Sequence, residues 1–372
     1  MQGILNYGSA LQSYALQHFI ESELKCEVEL IDYVYPNSFQ KKQQHRTLYR
    51  IFRDWVSDVL TAILPPRVRK RKRFEEFWSS FFHLSKQFKS KEAIFADPPI
   101  YDIYMTGSDQ TWNLTGTKCD PTFFCGFAPK GAKKVAFSAS FANSSLPNGS
   151  ESFVEENLKG YTHIGCREYS SLQILKSLHL GNVVLKNTCD PSLLLNSEDY
   201  DVFLKYSKIR LPQHYILVYY MGYAFPPQPA FNRVLKEVEE HYNLPVMYLG
   251  GVSRHDSNKN HYHIDGIGPC EFISLVKNAT YILTSSFHGT MFAMIYKKPF
   301  TSVVAPKWHP DHRLSDLSKS LGMEKNFIEG DDESKSPSFE NPFLQKETDL
   351  LNEYIEQSKD FLRQSVFNNN HN

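Results

Sequence analysis

The sequence lacks the features that mark several protein classes. It has no net charge, because forty-one basic residues cancel forty-one acidic ones, so the electrostatic footprint of a nucleic-acid binder is missing. It has no C-x-x-C pair; Cys26, Cys119, Cys125, Cys166, Cys189 and Cys270 are scattered. That spacing argues against a zinc site and against a secreted disulfide framework, and the six read as reduced, mostly buried thiols of a cytoplasmic protein. No apolar run approaches the ~20 residues that span a bilayer, no signal peptide is visible, and no repeat of solenoid type recurs. What remains is a chain of 372 residues, long enough for two domains of ordinary size. It carries 27 Phe and 21 Tyr, most of which belong to cores.

Along the chain one pattern recurs: a short apolar strand, a polar tip, then a helix. Strands are expected at Tyr101–Thr106, Val135–Ser140, His163–Cys166 and Val183–Leu185, and again at Tyr215–Tyr220, Pro245–Leu249, Tyr281–Thr284 and Phe300–Val304. The pattern predicts an α/β protein of two parallel-sheet domains facing each other across a cleft. Residues 1–200 form the first, with a helical insertion at about 40–95; residues 201–345 form the second; a helix and tail over 346–372 close the chain. The start is odd. A helix over 8–20 leads to a strand at Val28–Tyr33, and a crossover helix needs a parallel strand before it. Only Met1 to Leu5 are available, so the first strand looks truncated and the protein is expected to begin upstream.

The insertion carries an apolar stripe, Leu48, Ile51, Phe52, Trp55, Val56, Val59, Leu60 and Ile63. Pro65-Pro66 is expected to end it, with Arg67, Arg69, Lys70, Arg71, Lys72 and Arg73 beyond. A stripe beside a basic cluster can seat residues 48–73 on the inner face of an anionic membrane. Equally, it can be a lid packed on its own domain with a solvated basic turn.

In open parallel sheets the carboxyl ends of the strands form the ligand crevice, so the tips are the candidate sites. Tyr281 to Gly289 reads as strand, small-residue turn and helix start, with Ser285, Ser286 and Gly289 around His288. Helix N-termini favour anions, and an imidazole there can protonate or hydrogen-bond a bound phosphate or carboxylate; the alternative is a buried histidine satisfied by carbonyls. Arg167 can hold an anion in a bidentate fork, or pair with Glu168. Asp109 is the candidate base or sugar anchor, or else Asp109 and Gln110 merely cap the turn and fix Trp112. Ser108 shares that tip. Asn6, Tyr7 and Gly8 offer a second helix-start cradle. Lys307, His309, His312 and Arg313 follow the strand Phe300–Val304 and can line the same crevice as His288; equally, Arg313 can merely cap or pair near a helix over Leu314–Leu321. His309 and His312 lack a third ligand of matching spacing, so no metal is expected.

Five strings in order carry a resemblance: NYGSALQSYALQ at 6–17, GSDQ-x-WN at 107–113, REYSS at 167–171, DPSLLL at 190–195 and SFHG at 286–289. Together they resemble the polysaccharide pyruvyl transferase family over residues 6 to about 322. The resemblance implies a glycosyltransferase-B-like fold of two Rossmann-like domains. It implies phosphoenolpyruvate as donor co-substrate with no resident cofactor, a glycan acceptor, and a ketal closed on two sugar hydroxyls. The residues read above fit that chemistry, with His288 and Asp109 as the expected catalytic groups. Donor binding would fall to Arg167, Ser285, Ser286, Gly289, Lys307 and Arg313, and the acceptor cleft to Asn6, Tyr7, Gly8, Ser108 and Gln110. Well-studied members carry an arginine two residues before the histidine, in an R-L-H string that binds donor. Here Ser286 stands in that place, so another cation must compensate or the donor differs. Two rival readings are a sugar-nucleotide glycosyltransferase and a non-catalytic subunit of a polysaccharide assembly complex.

Overall fold

The structure, a computed structural model, describes residues 4–34, 64–222, 225–250, 258–309, 311, 313–343 and 345–368. The stripe from Leu48 to Ile63 lies outside the described residues, and so does His312. The chain divides into two compact units, Met1–Leu194 together with Gln357–Asn372, and Leu195–Glu356.

The first unit holds β1 (Ile103–Thr106), β2 (Lys133–Ala139), β3 (Tyr161–Cys166) and β4 (Val184–Asn187), in the spatial order β1-β2-β3-β4. Every neighbouring pair is parallel. Parallel pairing requires crossovers, and crossover helices cover both faces, so a central strand must be apolar on both sides. β2 meets that demand, with Val135 to Ala139 wholly buried. Trp112, Phe124, Phe141 and Ile164 fill the core beside it. The last turns of the closing helix, Gln345–Phe367, belong to this unit. Ser358 Oγ accepts from the Cys189 amide at 2.9 Å. Gly165 lets that helix come close, since a Cβ there would lie 2.8 Å from Thr188 Oγ1 and 3.0 Å from Phe361 Cε1.

The second unit holds β5 (Ile216–Tyr220), β6 (Val246–Gly250), β7 (His261–Ile264), β8 (Tyr281–Thr284), β9 (Phe300–Val304) and β10 (Phe327–Glu329). All are parallel, in the order β10-β9-β8-β5-β6-β7. The chain builds outward from β5 to β7, then returns to the other side of β5 to lay down β8, β9 and β10. That is the doubly wound Rossmann order 3-2-1-4-5-6. Both units are thus Rossmann-like α/β sheets.

Three local expectations are corrected. Pro65 and Pro66 open a helix, Pro65–Phe81, where a turn was expected; proline at a first helical position loses no bond, because that amide has no partner in the helix. The basic residues therefore sit on a helix, not in a turn. Val28–Tyr33 is not a strand: only Leu30 and Tyr33 form bridges, to Leu84 and Phe88. β7 and β10 were not expected. Both are short, and β7 (His-Tyr-His-Ile) is polar in composition and half-exposed at a sheet edge, so neither produces an apolar run.

Candidate active site

In the second unit the strand order reverses between β5 and β8, which are hydrogen-bonded neighbours. Helices leave a reversal point on opposite faces, and the crevice between them at the carboxyl ends of the strands is where such sheets bind ligands. The turn after β8 is built into that point. Thr284 Oγ1 donates to the Tyr219 carbonyl at 2.9 Å and accepts from the Ser286 amide at 2.9 Å. Ser285 Oγ accepts from the Met221 amide at 2.8 Å and donates to the Met221 carbonyl. These bonds latch the tip of β5 to the tip of β8. Ser286 is the N-cap of the helix Phe287–Ile295, its Oγ accepting from the Gly289 amide at 3.3 Å. Serine is a favoured cap because its short side chain reaches back to an otherwise orphan donor. Gly289 is required for packing: a Cβ there would lie 2.4 Å from Thr284 Oγ1 and 2.9 Å from the Tyr219 ring.

His288 is the second residue of that helix and is buried, 7% exposed. It stands at the positive end of the helix, where an anion is favoured. Arg313 opens the helix Arg313–Leu321 and lays its guanidinium over the Phe287 ring, 5.4 Å from the centroid. Its Nε and Nη2 donate to Asp311 at 2.8 and 2.6 Å. A guanidinium thus comes to the residue between Ser286 and His288 from another element. Lys307 is 87% exposed and pairs with Glu329 at 3.5 Å; His309 accepts from the Asp311 amide through Nδ1 and packs against Phe225. The structure therefore brings Ser285, Ser286, His288, Gly289 and Arg313 together, and leaves Lys307 on the surface.

In the first unit the tips of β1, β3 and β4 are tied by buried polar groups. Arg167 donates through Nε to Glu168 at 3.1 Å and through Nη1 to Asp190 at 3.3 Å, with all three side chains no more than 3% exposed. Glu168 accepts from Ser140 and Ser171 at 2.7 and 3.0 Å. Asp190 accepts from Ser192, through its amide at 3.0 Å and its hydroxyl at 2.7 Å. Ser108 Oγ donates to the other Asp190 oxygen at 3.2 Å. Buried charges persist only when paired and hydrogen-bonded, and this network supplies both. It assigns Arg167 an internal task that sequence spacing does not reveal, since Asp190 lies 23 residues further along the chain.

Asp109 adjoins the same network. It adopts φ of +80°, a left-handed conformation that costs energy for a residue with a Cβ. Its Oδ2 accepts from Ser9 Oγ at 2.6 Å and its Oδ1 from the Gln110 amide at 2.9 Å. Ser9 belongs to the first turn of the helix Tyr7–Glu23, which Asn6 caps by accepting from the Ser9 amide at 3.2 Å. Tyr7 and Gly8 are buried in that first turn, and Tyr7 carries Lys70 Nζ 4.6 Å above its ring. Gln110 accepts from Asn113 at 3.3 Å. Trp112 lies in the core, stacked on Phe124 at 5.4 Å. Asn6, Tyr7, Gly8, Ser108, Asp109, Gln110 and Arg167 thus share one end of the first sheet. Ser9, Ser140 and Lys70 join them; Ser9 belongs to the string that holds Asn6, whereas nothing in the sequence near Ser140 or Lys70 points to this end of the sheet.

The cysteines at these tips are not nucleophiles. Burial first, and Glu168 second, push the Cys166 thiol well up, and burial pushes Cys189 to about 12. A thiolate is the reactive form, and neither residue supplies one near neutral pH. All six cysteines are free.

Comparison with known proteins gives one family. The family described as "Polysaccharide pyruvyl transferase" matches residues 6–305. No curated protein matches the chain. Among solved structures, a UDP-GlcNAc 2-epimerase from Neisseria meningitidis, bound to UDP-GlcNAc, is 12% identical with a TM-score of 0.47, over 98% of this chain and 93% of its own. S. aureus MnaA, in a co-structure with UDP, is 11% identical with a TM-score of 0.46, over 96% and 94%. At these scores the likeness carries no further argument.

Proposed function

The chain belongs to the polysaccharide pyruvyl transferase family, and from that premise we propose that it moves the pyruvyl group of phosphoenolpyruvate onto a sugar of a surface polysaccharide or its lipid-linked precursor, closing a ketal. The enol methylene takes a proton, and one sugar hydroxyl bonds to the central carbon. Phosphate leaves with the electron pair of its C–O bond, and a second hydroxyl closes the ring. Two hydroxyl protons are lost: one returns to the acid that protonated the methylene, the other goes to the departing phosphate.

The observation that supports this reading best is His288 at a helix start in the strand-reversal crevice, with the Arg313 guanidinium on the adjoining Phe287. The donor is a small trianion, and a helix N-terminus with a guanidinium beside it suits its carboxylate and phosphate. His288 is the acid that protonates the methylene and recovers a proton from the acceptor. Arg313 takes the part for which the family uses an arginine at the position of Ser286. In the first unit Asp109 accepts from the acceptor's hydroxyls, and Asn6, Tyr7, Gly8, Ser108 and Gln110 shape the pocket around it. Arg167 works indirectly, holding the strand tips in register. The exposed Arg67, Arg69, Arg71 and Lys72 of the helix Pro65–Phe81 give a cationic face to an anionic membrane where a lipid-linked acceptor resides. No helix among the described residues is long and apolar enough to cross a membrane.

Arg313→Lys tests the donor assignment. Lysine keeps the charge but loses the planar fork and the ring stack, so the KM for phosphoenolpyruvate is expected to rise about tenfold, the worth of one bidentate contact of about 1.4 kcal/mol. The acceptor KM is expected to stay put. An unchanged donor KM would remove Arg313 from the site, and a chain that never consumes phosphoenolpyruvate would end the reading.

A further inference from the structure

Packing accounts for two tryptophans: Trp112 is buried in the core of the first unit, and Trp78 is half-buried on the helix Pro65–Phe81. Trp308 differs, with 69% of its surface exposed. It stands at the carboxyl end of β9, in a turn closed by the His309 amide donating to the Pro306 carbonyl at 2.9 Å. β9 is the parallel neighbour of β8, so this turn lies at the same end of the sheet as His288, one strand further from β5.

The exposed indole is held in place. Its Nε1 donates to Asp331 Oδ2 at 3.2 Å, from the loop after β10. The His309 ring stands edge-on to it at 5.8 Å and packs in turn on Phe225, from the segment after β5. The loop after β10 is fixed as well. Its Gly330 amide donates to the Val304 carbonyl at 2.9 Å, and a Cβ at Gly330 would lie 2.6 Å from the Pro226 carbonyl oxygen. Three loops at the carboxyl rim thus converge to present one aromatic ring.

The polar edge of that ring is satisfied by the protein while most of its surface meets solvent. The faces of an indole carry negative charge density. The C–H groups of a pyranose, made positive by the neighbouring oxygens, gather on one side of the sugar and suit such a face, and its hydroxyls can donate to carboxylates around the ring. A nucleobase also stacks on aromatics, but a nucleotide brings phosphates. Here Lys307 pairs with Glu329 and Arg313 with Asp311, so Asp331 beside the indole tips the balance of these groups negative. Like charge disfavours a phosphate there, and a neutral ligand is preferred.

We propose that Trp308 is a stacking platform for a pyranose unit of the glycan. This rests on the reading above only in taking a glycan as the acceptor. Trp308 touches no reacting atom in this scheme; it holds the polymer by a sugar face.

The test uses the full chain without phosphoenolpyruvate, and oligosaccharides cut from the unmodified glycan. They are expected to shield Trp308 from iodide quenching of its fluorescence. Trp308→Ala is expected to abolish that shielding and to weaken oligosaccharide binding, read by calorimetry, about tenfold or more. Trp308→Phe is expected to regain most of the affinity. Because the ring is exposed, Tm is expected to stay within about 2 °C. With donor added, the glycan KM of Trp308→Ala is expected to rise by the same factor while the donor KM holds. Unchanged oligosaccharide affinity in Trp308→Ala overturns the proposal, and so does iodide access that the oligosaccharides leave unaltered. Shielding by uridine diphosphate instead of oligosaccharides also overturns it, by assigning the ring to a nucleobase. Shielding by the oligosaccharides in a chain that never consumes phosphoenolpyruvate upholds the platform and ends the reading of the reaction, so the two fail separately.

Discussion

His288→Ala is expected to lower turnover by about a hundredfold or more, the usual worth of a positioned general acid. The residue is buried at the second position of its helix, so folding must be checked alongside. His288→Gln keeps a hydrogen-bond donor of similar reach but cannot deliver and recover a proton at the methylene, and it is expected to lose about as much turnover as alanine. Donor affinity should fall less than turnover in both variants, since the helix start and Arg313 remain. Near-normal turnover in a folded His288→Ala protein would take the histidine out of the mechanism. A loss recovered by glutamine would make it a hydrogen-bonding group only.

Arg167→Ala is expected to cost stability rather than chemistry. It would strand Glu168 and Asp190, both buried, and removing one member of a buried ion pair costs about 3–5 kcal/mol. For a unit of this size that lowers Tm by roughly 6–20 °C. Arg167→Lys, which keeps charge but cannot reach both carboxylates in a planar fork, should fall between. Thermal unfolding followed by circular dichroism, with donor KM measured below the transition, separates the two roles. A protein of unchanged Tm whose donor KM rises would return Arg167 to the donor pocket.

The strand-turn-helix around His288 was legible because its signals are local. Tyr281 to Thr284 is an apolar run, Ser286 is a favoured cap, and Gly289 and the apolar residues after it continue as helix. The carboxyl-end tips were legible for the same reason, each being a short apolar run that breaks at polar residues. The partner of Arg167 was not, because Asp190 reaches it through the fold and spacing gives no sign of which carboxylate a guanidinium meets. Nor was the place of Arg313, which lies on Phe287 only once β8 and the helix Arg313–Leu321 are brought together. Val28–Tyr33 shows the reverse failure: its β-branched and aromatic residues favour a strand, yet β propensity takes effect only where a neighbour offers a ladder. The helix that opens at Pro65 was not legible, because proline can close a helix behind it or open one ahead of it, and the basic run that follows gives no apolar period to reveal the second.

The most direct measurement incubates the protein with phosphoenolpyruvate isotopically labelled at its central carbon and with glycan from a strain that makes the unmodified polymer. Carbon and phosphorus NMR then follow the label and the phosphate together. The expected result is phosphate release that requires the glycan, matched mole for mole by label at a quaternary ketal carbon on the sugar. Label left in phosphoenolpyruvate while a sugar nucleotide is consumed, or phosphate released with free pyruvate as the labelled product, would contradict it.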